Sequence, residues 1–259
     1  MRHDVRYTVL FAAGVCLVCS LVVASTAVLL RDRIAENVLL DRQQKVLSVA
    51  GLVASGEELS KEEIKSRFEK NLVAKLVDMQ SGVMLDEPAP AAYNARKLAL
   101  DPATGFAPPP NAAKVRRMPK QGLVYLIKPN DHIEGIILPV EGLGLWGTLY
   151  GYVALAPDAR TIRGLTFYQH KETPGLGGEI DNPRWRALWP GRLATDEAGQ
   201  PMIRVIKGRA GPPDEDPYEV DGLSGATITS NGVTNLMHFW LGDEAFGPYL
   251  ATLRDGRSN

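Results

Sequence analysis

Thiols are scarce in this chain of 259 residues, and their distribution excludes one class of fold. Both cysteines, Cys16 and Cys19, lie in an apolar stretch near the N-terminus, and none follows. A disulfide framework is therefore excluded, and the thiol-free remainder is compatible with an oxidising compartment. The spacing puts both thiols on one helix face. A redox pair is one interpretation, but we favour packing by small residues, because two ligands alone make a poor metal site.

The chain also lacks an excess of charge of either sign. Its 29 Lys and Arg residues balance 30 Asp and Glu residues, and no basic stripe with interleaved aromatic residues is present. Because nucleic-acid binding depends on such a basic surface, we expect no nucleic-acid partner. The apolar content of 45% is ordinary for a globular protein, and the length allows one or two domains.

One segment has no charged residue at all. Residues 7–30 are uncharged, and a helix of that length would extend about 36 Å, enough to cross a hydrocarbon core of about 30 Å. Arginines flank it at positions 2, 6, 31 and 33. The pattern predicts a transmembrane anchor over residues 1–33. It contains no intramembrane acid, so we expect no ion path within it.

A cleaved signal peptide is the alternative interpretation of this segment, because residues 24–27 are small. The apolar run is longer than a signal h-region of about 7–15 residues and continues past that point, which favours a retained anchor. The arginines are balanced on the two sides, and the amino terminus with His3 favours a cytoplasmic N-terminus. Residues 34–259 are then expected on the periplasmic side of a bacterial inner membrane.

Beyond the anchor, the first predicted elements are helices and one hairpin. A helix is expected over residues 34–53, ending at Gly56. Ser60 and Glu63 form a capping box before a helix that continues to about Asn71. Residues 72–79 and the turn at 80–82 predict a hairpin. Residues 86–121 contain seven prolines and predict a surface loop region with a short helix near Arg96 and no chemistry.

The chain becomes rich in β-forming residues from position 122. Candidate strands separated by short turns, one of them at 129–131, cover residues 122–128, 133–140, 146–156, 161–168 and 202–207, with a short helix at 184–188. Successive strands with short turns predict an antiparallel meander. Together with the flanking helices, they predict an α+β fold: one transmembrane helix followed by a mixed, mainly antiparallel domain.

A glycine string at residues 142–147 spells G-x-G-x-x-G, the dinucleotide-binding fingerprint. That fingerprint requires a helix directly afterwards and an acidic residue about 20 positions further on. The following residues are strand-like, and residues 165–167 contain no acid. A Rossmann-type nucleotide site is therefore rejected.

Residues 221–227 read Asp-Gly-Leu-Ser-Gly-Ala-Thr and lead into an amphipathic helix. Its apolar face has helical spacing, at Val233, Leu236, Met237 and Trp240. We expect Thr229, Ser230 or Asn231 to be the N-cap. The free N–H groups and the dipole of the first turn would favour a phosphate near Thr227. A capped helix start without any ligand is the alternative.

A second glycine-rich stretch, residues 170–178, reads His-Lys-Glu-Thr-Pro-Gly-Leu-Gly-Gly. Thr-Pro-Gly predicts a type II turn with Pro174 and Gly175 at its centre. The glycines would let the backbone approach a flat ring closely, and His170 and Glu172 would place titratable groups beside it. The alternative is a solvated loop with a cluster of charges.

The first stretch resembles the flavin-attachment motif of the FMN-binding domain family, Asp-x-x-Ser/Thr-Gly-Ala-Thr. In that family the last threonine carries FMN through a phosphoester bond, which a separate flavin transferase installs. The resemblance implies covalent FMN on Thr227, with the rest of the motif as its binding loop: Asp221, Ser224, Gly225 and Ala226.

The two stretches together resemble one group in that family, which comprises the C subunits of sodium-translocating NADH:quinone reductases and the G subunits of RNF electron-transport complexes. Residues 144–147, 177–180 and 182–192 resemble the C subunits more closely. The resemblance implies an electron carrier that does not itself bind NADH. It would work with the other subunits of a membrane complex that reduces ubiquinone and exports Na⁺.

The resemblance also guides which residues should lie near the flavin ring. We expect these to be Leu145, Trp146, His170, Glu172, Thr173, Gly175, Leu176 and Gly177. Burial in the core is the alternative role for Trp146. No separate catalytic residue and no metal ligand is expected.

Three other functions are alternatives to this interpretation. A flavoprotein like the G subunits of RNF complexes shares the main motifs. A membrane-anchored serine hydrolase would use Ser224, but the G-x-S-x-G pattern fails at Ala226 and the preceding residues make a poor strand. The third is a non-catalytic anchor that only stabilises its neighbours.

Overall fold

The structure is a computed structural model that describes residues 5–54, 57–90, 93–129 and 132–256. The chain divides into two compact units, Met1–Arg42 and Gln43–Asn259. The sequence places a membrane anchor at residues 1–33 and an extracytoplasmic domain at residues 34–259. This division depends on the position of a membrane, so it stays a prediction. The predicted helix end at Gly56 and the turn residues Asn130 and Asp131 lie outside the described residues.

The first helix is long enough to extend well beyond a membrane. Helix α1 covers Val5–Val49, and within it residues 7–30 are exposed and apolar. By length and composition this helix could cross a bilayer. Its predicted continuation past residue 33 is confirmed. It ends before residue 53 because Gly51, with a φ of 75°, takes the left-handed conformation that closes helices.

The remaining elements alternate between strands and short helices. In chain order they are α2 (Lys61–Asn71), β1 (Leu72–Asp78), β2 (Met84–Pro88), α3 (Ala95–Leu100), β3 (Gly105–Phe106), β4 (Met118–Pro119), β5 (Gln121–Ile127), β6 (Gly135–Leu143), β7 (Thr148–Leu155), β8 (Ile162–Gln169), a 3₁₀ helix (Gly177–Asp181), α4 (Pro183–Arg186), β9 (Arg204–Val205), β10 (Glu219–Val220), α5 (Thr227–Leu241) and α6 (Gly247–Arg254). The capping box of Ser60 and Glu63 at the start of α2 is confirmed.

A six-stranded sheet with the strand order β2-β1-β5-β6-β7-β8 is the framework of the second unit. Every neighbouring pair in it is antiparallel, so the predicted hairpin and meander are confirmed. The expected strand at 202–207 is only β9, which pairs in parallel with β10. The domain is therefore mixed and mainly antiparallel, as predicted.

Helix α5 packs closely on the sheet at β6 and carries much of the core. Its predicted apolar face is buried. A Cβ atom on Gly232 would lie 2.5 Å from the Leu143 carbonyl oxygen, and one on Gly142 would lie 2.6 Å from Leu236 Cβ. The two glycines therefore permit the close helix–sheet approach that fixes the start of α5 at the end of β6.

The expectation of a plain surface loop over residues 86–121 is wrong in part. The short helix near Arg96 is confirmed as α3, but Ala113, Val115 and Met118 are buried in the main core. The Arg96 guanidinium also lies 3.6 Å from the centre of the Tyr150 ring. These residues fold inward because the region, although rich in proline, supplies apolar side chains that the sheet can cover.

Candidate functional site

Three segments meet at one end of the sheet. The first is the loop 144–147 between β6 and β7, and the second is the turn 170–177 that follows β8. Because β6, β7 and β8 are neighbours, both segments leave the sheet at the same end. The third segment is the motif loop 221–226 with the first turn of α5. The structure thus brings together the two glycine-rich stretches that the sequence singled out.

Hydrogen bonds to neighbouring segments hold the beginning of the motif loop in place. Asp221 Oδ1 accepts a hydrogen bond of 2.9 Å from Ala210 N, and its carbonyl oxygen accepts one of 2.9 Å from Trp185 Nε1. Gly222 N donates to the Gly208 carbonyl oxygen at 2.8 Å. The Asp221 side chain therefore braces the loop. Gly225 adopts a φ of 70°, a conformation that suits glycine at the sharp turn into α5.

The predicted N-cap of α5 is wrong. The helix begins at Thr227, and the cap position belongs to Ala226, whose side chain offers no acceptor. Two of the three expected caps have other partners, because the Thr229 hydroxyl donates to Glu172 and Ser230 Oγ accepts from Leu223 N. Thr227 is thus the first helical residue, and it is exposed, as are Ser224 and Gly225.

Glu172, in the turn 170–177, contacts both of the other segments. The residue is only 5% exposed. Oε1 accepts a hydrogen bond of 2.9 Å from Trp146 N, and Oε2 accepts one from the Thr229 hydroxyl. The alternative of a solvated loop charge is therefore wrong for this residue. The carboxylate joins the loop 144–147, the turn 170–177 and the first turn of α5.

His170 shapes the turn rather than extending into solvent. Its Nδ1 accepts a hydrogen bond of 3.1 Å from Glu172 N, so Nε2 carries the hydrogen and donates to Asp181 Oδ2 at 2.7 Å. The predicted type II turn is confirmed, since Leu176 N donates to the Thr173 carbonyl oxygen and Gly175 has a φ of 76°. His170 therefore fixes the segment that carries Glu172.

Exposed apolar side chains surround the start of α5. Trp146 is 66% exposed, so the alternative of a core residue is wrong. Leu145, Leu176 and Ile228 are also exposed, and Leu176 Cδ2 would lie 3.0 Å from a Cβ atom on Gly225. We call these four residues the apolar patch. Exposed apolar surface of this kind beside polar groups is typical of a ligand or partner site.

Sequence reasoning missed Thr229 as a member of the site and considered it only as a helix cap. A signal was present in the helical spacing, because Thr229, Val233 and Leu236 share the buried face at i, i+4 and i+7. Ile228 was also missed. Its only signal was its position directly after Thr227.

Comparisons with known proteins identify the family to which the chain belongs. Residues 144–242 match the FMN-binding domain family. The chain is 46% identical to the C subunit of the Na(+)-translocating NADH-quinone reductase of Pseudomonas aeruginosa over 99% of both proteins. It is 44% identical to the corresponding protein of Yersinia pestis over 98% of this chain and 95% of that protein.

Two solved structures have the same fold. The crystal structure of Shewanella oneidensis NqrC is 31% identical, with a TM-score of 0.74, and the match covers 82% of this chain and 96% of that one. The crystal structure of the reductase's C subunit from Parabacteroides distasonis is 26% identical, with a TM-score of 0.61, and the match covers 89% of this chain and 98% of that one.

The match over residues 144–242, which contain the motif loop and α5, assigns this part of the chain to a flavin-binding class, the FMN-binding domain. The sequence identity to the C subunits over nearly the whole chain then distinguishes this group from the G subunits of RNF complexes. The chain belongs to the family of the C subunits of Na(+)-translocating NADH-quinone reductases. This assignment favours the main interpretation over an RNF protein and over a serine hydrolase.

Proposed function

We propose that this chain is the FMN-carrying electron-transfer subunit of a membrane NADH:quinone reductase that exports Na⁺. A phosphoester bond would join the FMN to Thr227, and a separate flavin transferase would form that bond. The single observation that carries the proposal is the exposed Thr227 at the first position of a 15-residue helix, inside a complete attachment motif and beside the apolar patch.

The residues around Thr227 fit the phosphate end of FMN. The first turn of α5 presents backbone N–H groups and the positive end of the helix dipole, both of which favour an anion. Residues 222–229 contain no Asp or Glu, and the Asp221 side chain is engaged with Ala210 N. The residues that lead from Gly222 into α5 therefore add no negative charge beside such a phosphate.

The apolar patch fits the ring of FMN. Leu145 and Trp146 expose apolar surface from one segment, and Leu176 does so from the neighbouring turn. We assign the ring to this surface, with Thr173, Gly175 and Gly177 as the turn beside it. When bound, FMN supplies the electron-transfer chemistry. The side chains of this protein bind the cofactor, orient it and exclude water from one face.

The membrane arrangement belongs to the same proposal. Helix α1 would cross the bacterial inner membrane once, with the bulk of the chain on the periplasmic side and the other subunits of the complex as partners. The uncharged, exposed residues 7–30 support the crossing. The amino terminus with His3 and the thiol-free remainder of the chain support the orientation.

The proposal is tested by whether the flavin stays with the protein after unfolding. Full-length protein, produced together with a flavin transferase, should keep its yellow absorbance after denaturation and gel filtration. Thr227→Ala should lose that absorbance, and Ser224→Ala should reduce it less. Release of the colour from the unaltered protein would contradict covalent attachment, and absence of any flavin would contradict the proposed function.

A further inference from the structure

We propose that Glu172 is a positioning residue: its buried carboxylate fixes Trp146 and the start of α5 relative to each other, and so sets the orientation of the flavin. This inference rests on the proposed function and deepens it. It gives Glu172 a role that differs from direct contact with the ring, because both of its oxygens are engaged inside the protein.

The contacts of Glu172 join the parts of the chain that carry the exposed site. Trp146 N belongs to the loop that carries half of the apolar patch, and Thr229 lies one residue after the patch residue Ile228. Glu172 itself is in the turn that carries Leu176. Removing the carboxylate would leave the Trp146 N–H and the Thr229 hydroxyl without these acceptors.

Two glycines make room for this carboxylate. A Cβ atom on Gly144 would lie 2.6 Å from Glu172 Oε1, and one on Gly177 would lie 2.6 Å from Oε2 and 2.5 Å from Thr229 Oγ1. Neither glycine has the positive φ that would itself require glycine. Gly144 belongs to the loop 144–147 and Gly177 to the turn 170–177, and the Glu172 carboxylate occupies the space that a side chain at either position would need.

Hydrogen bonds on the C-terminal side of β8 also fix the backbone of Glu172. Glu172 N donates to His170 Nδ1, and His170 is fixed in turn by Asp181. The motif loop, by contrast, is braced through Asp221 and Gly222 against residues 208–210, with no contribution from Glu172. Attachment at Thr227 should therefore survive the loss of Glu172, while the orientation of the attached flavin should not.

The test uses full-length protein flavinylated by the transferase, as the unaltered chain and as Glu172→Ala, Glu172→Gln and Thr229→Val. The first readout is the visible circular dichroism of the flavin band per bound flavin, which reports a fixed orientation. The second is amide hydrogen exchange of the peptide that contains Trp146, which does not need a flavin. Glu179→Ala is the matched control, because that carboxylate lies in the following 3₁₀ helix and bonds Asn182.

We expect Glu172→Ala to keep its flavin on Thr227, to lose most of the visible dichroism and to exchange faster at Trp146. Thr229→Val should lose dichroism without faster exchange there, because the Trp146 bond remains. Glu172→Gln should restore both readouts, since its amide can accept from Trp146 N and donate to Thr229 Oγ1. The control should match the unaltered protein.

Unaltered dichroism in both Glu172→Ala and Thr229→Val would overturn the inference, and so would unchanged exchange at Trp146 in Glu172→Ala. If Glu172→Ala does not fold, Thr229→Val decides, because it replaces one hydroxyl with a methyl group of similar size and leaves the bond to Trp146 N in place. If the unaltered protein takes up no flavin, the proposed function fails by itself. Hydrogen exchange then still decides whether Glu172 fixes the loop at Trp146.

Discussion

Gly177 is the position where one added methyl group should disturb the site most. A Cβ atom there would lie 2.5 Å from Thr229 Oγ1 and 2.6 Å from Glu172 Oε2, and 3.1 Å from Glu172 Cβ. Both oxygens belong to buried residues and are hydrogen-bonded to each other. They cannot move aside without separating, so Gly177→Ala should break that bond and force the turn away from α5.

The cost follows from two effects. A hydrogen bond to a charged group contributes about 1.5–3 kcal/mol, and forcing an extra carbon into a filled interior costs about 1–3 kcal/mol. Their sum is roughly 2.5–6 kcal/mol of unfolding free energy. In a domain of this size each kcal/mol lowers Tm by about 2–4 °C, so we expect a decrease of roughly 5–24 °C.

Gly175→Ala is the matched control, two residues earlier in the same turn. A Cβ atom there meets open space, but the φ of 76° is unfavourable for alanine, at a cost of about 1–2 kcal/mol. Thermal unfolding of both full-length variants, followed by far-ultraviolet circular dichroism in detergent, compares them. A Gly177→Ala protein as stable as the Gly175→Ala protein would refute the packing around Glu172.

Four further predictions follow from the same structure. Asp221→Ala should loosen the motif loop by about 1 kcal/mol and lower the flavin content, whereas Asp221→Asn should keep it, because an amide oxygen still accepts from Ala210 N. Glu172→Gln should raise the flavin reduction potential in a spectroelectrochemical titration, because a negative charge no longer disfavours the reduced form. The Ser81 N–H and hydroxyl hold the pKa of Asp78 below its ordinary value. The ionised Asp78 carboxylate therefore contributes stability above about pH 4, and this contribution is lost as the pH falls further. Asp78→Asn should flatten that part of an acid unfolding curve. A reporter fused after Asn259 should be active if it works in the periplasm and silent if it works in the cytoplasm, and the reverse result would contradict the proposed orientation.

The local parts of the fold were predictable from the sequence. The meander from β5 to β8 follows from β-rich runs with short turns, and α2 follows from its capping box. The placement of β1 beside β5 and the parallel pairing of β9 with β10 join residues far apart in the chain, and no local pattern specifies them. The burial of Ala113, Val115 and Met118 was not predictable either, because it depends on contacts with distant parts of the chain and the surrounding prolines indicate a loop.

The site was predictable as two motifs but not as one structure. The attachment loop and the type II turn could be assigned because each depends on residues next to one another. The bond between Glu172 and Thr229 could not, since it joins positions 57 residues apart. The same bond explains the wrong prediction of the helix cap. The Thr229 hydroxyl bonds Glu172, which is distant in sequence, instead of capping the backbone at the start of α5 as the local pattern predicts.

Peptide mass spectrometry of the flavinylated protein tests the central claim most directly. Proteolysis of full-length protein produced with the transferase should yield a peptide covering residues 221–227 that carries the added mass of FMN less one water. Fragmentation should locate that mass on Thr227, and Thr227→Ala should remove it. The same mass on any other residue, or its persistence in Thr227→Ala, would contradict the account.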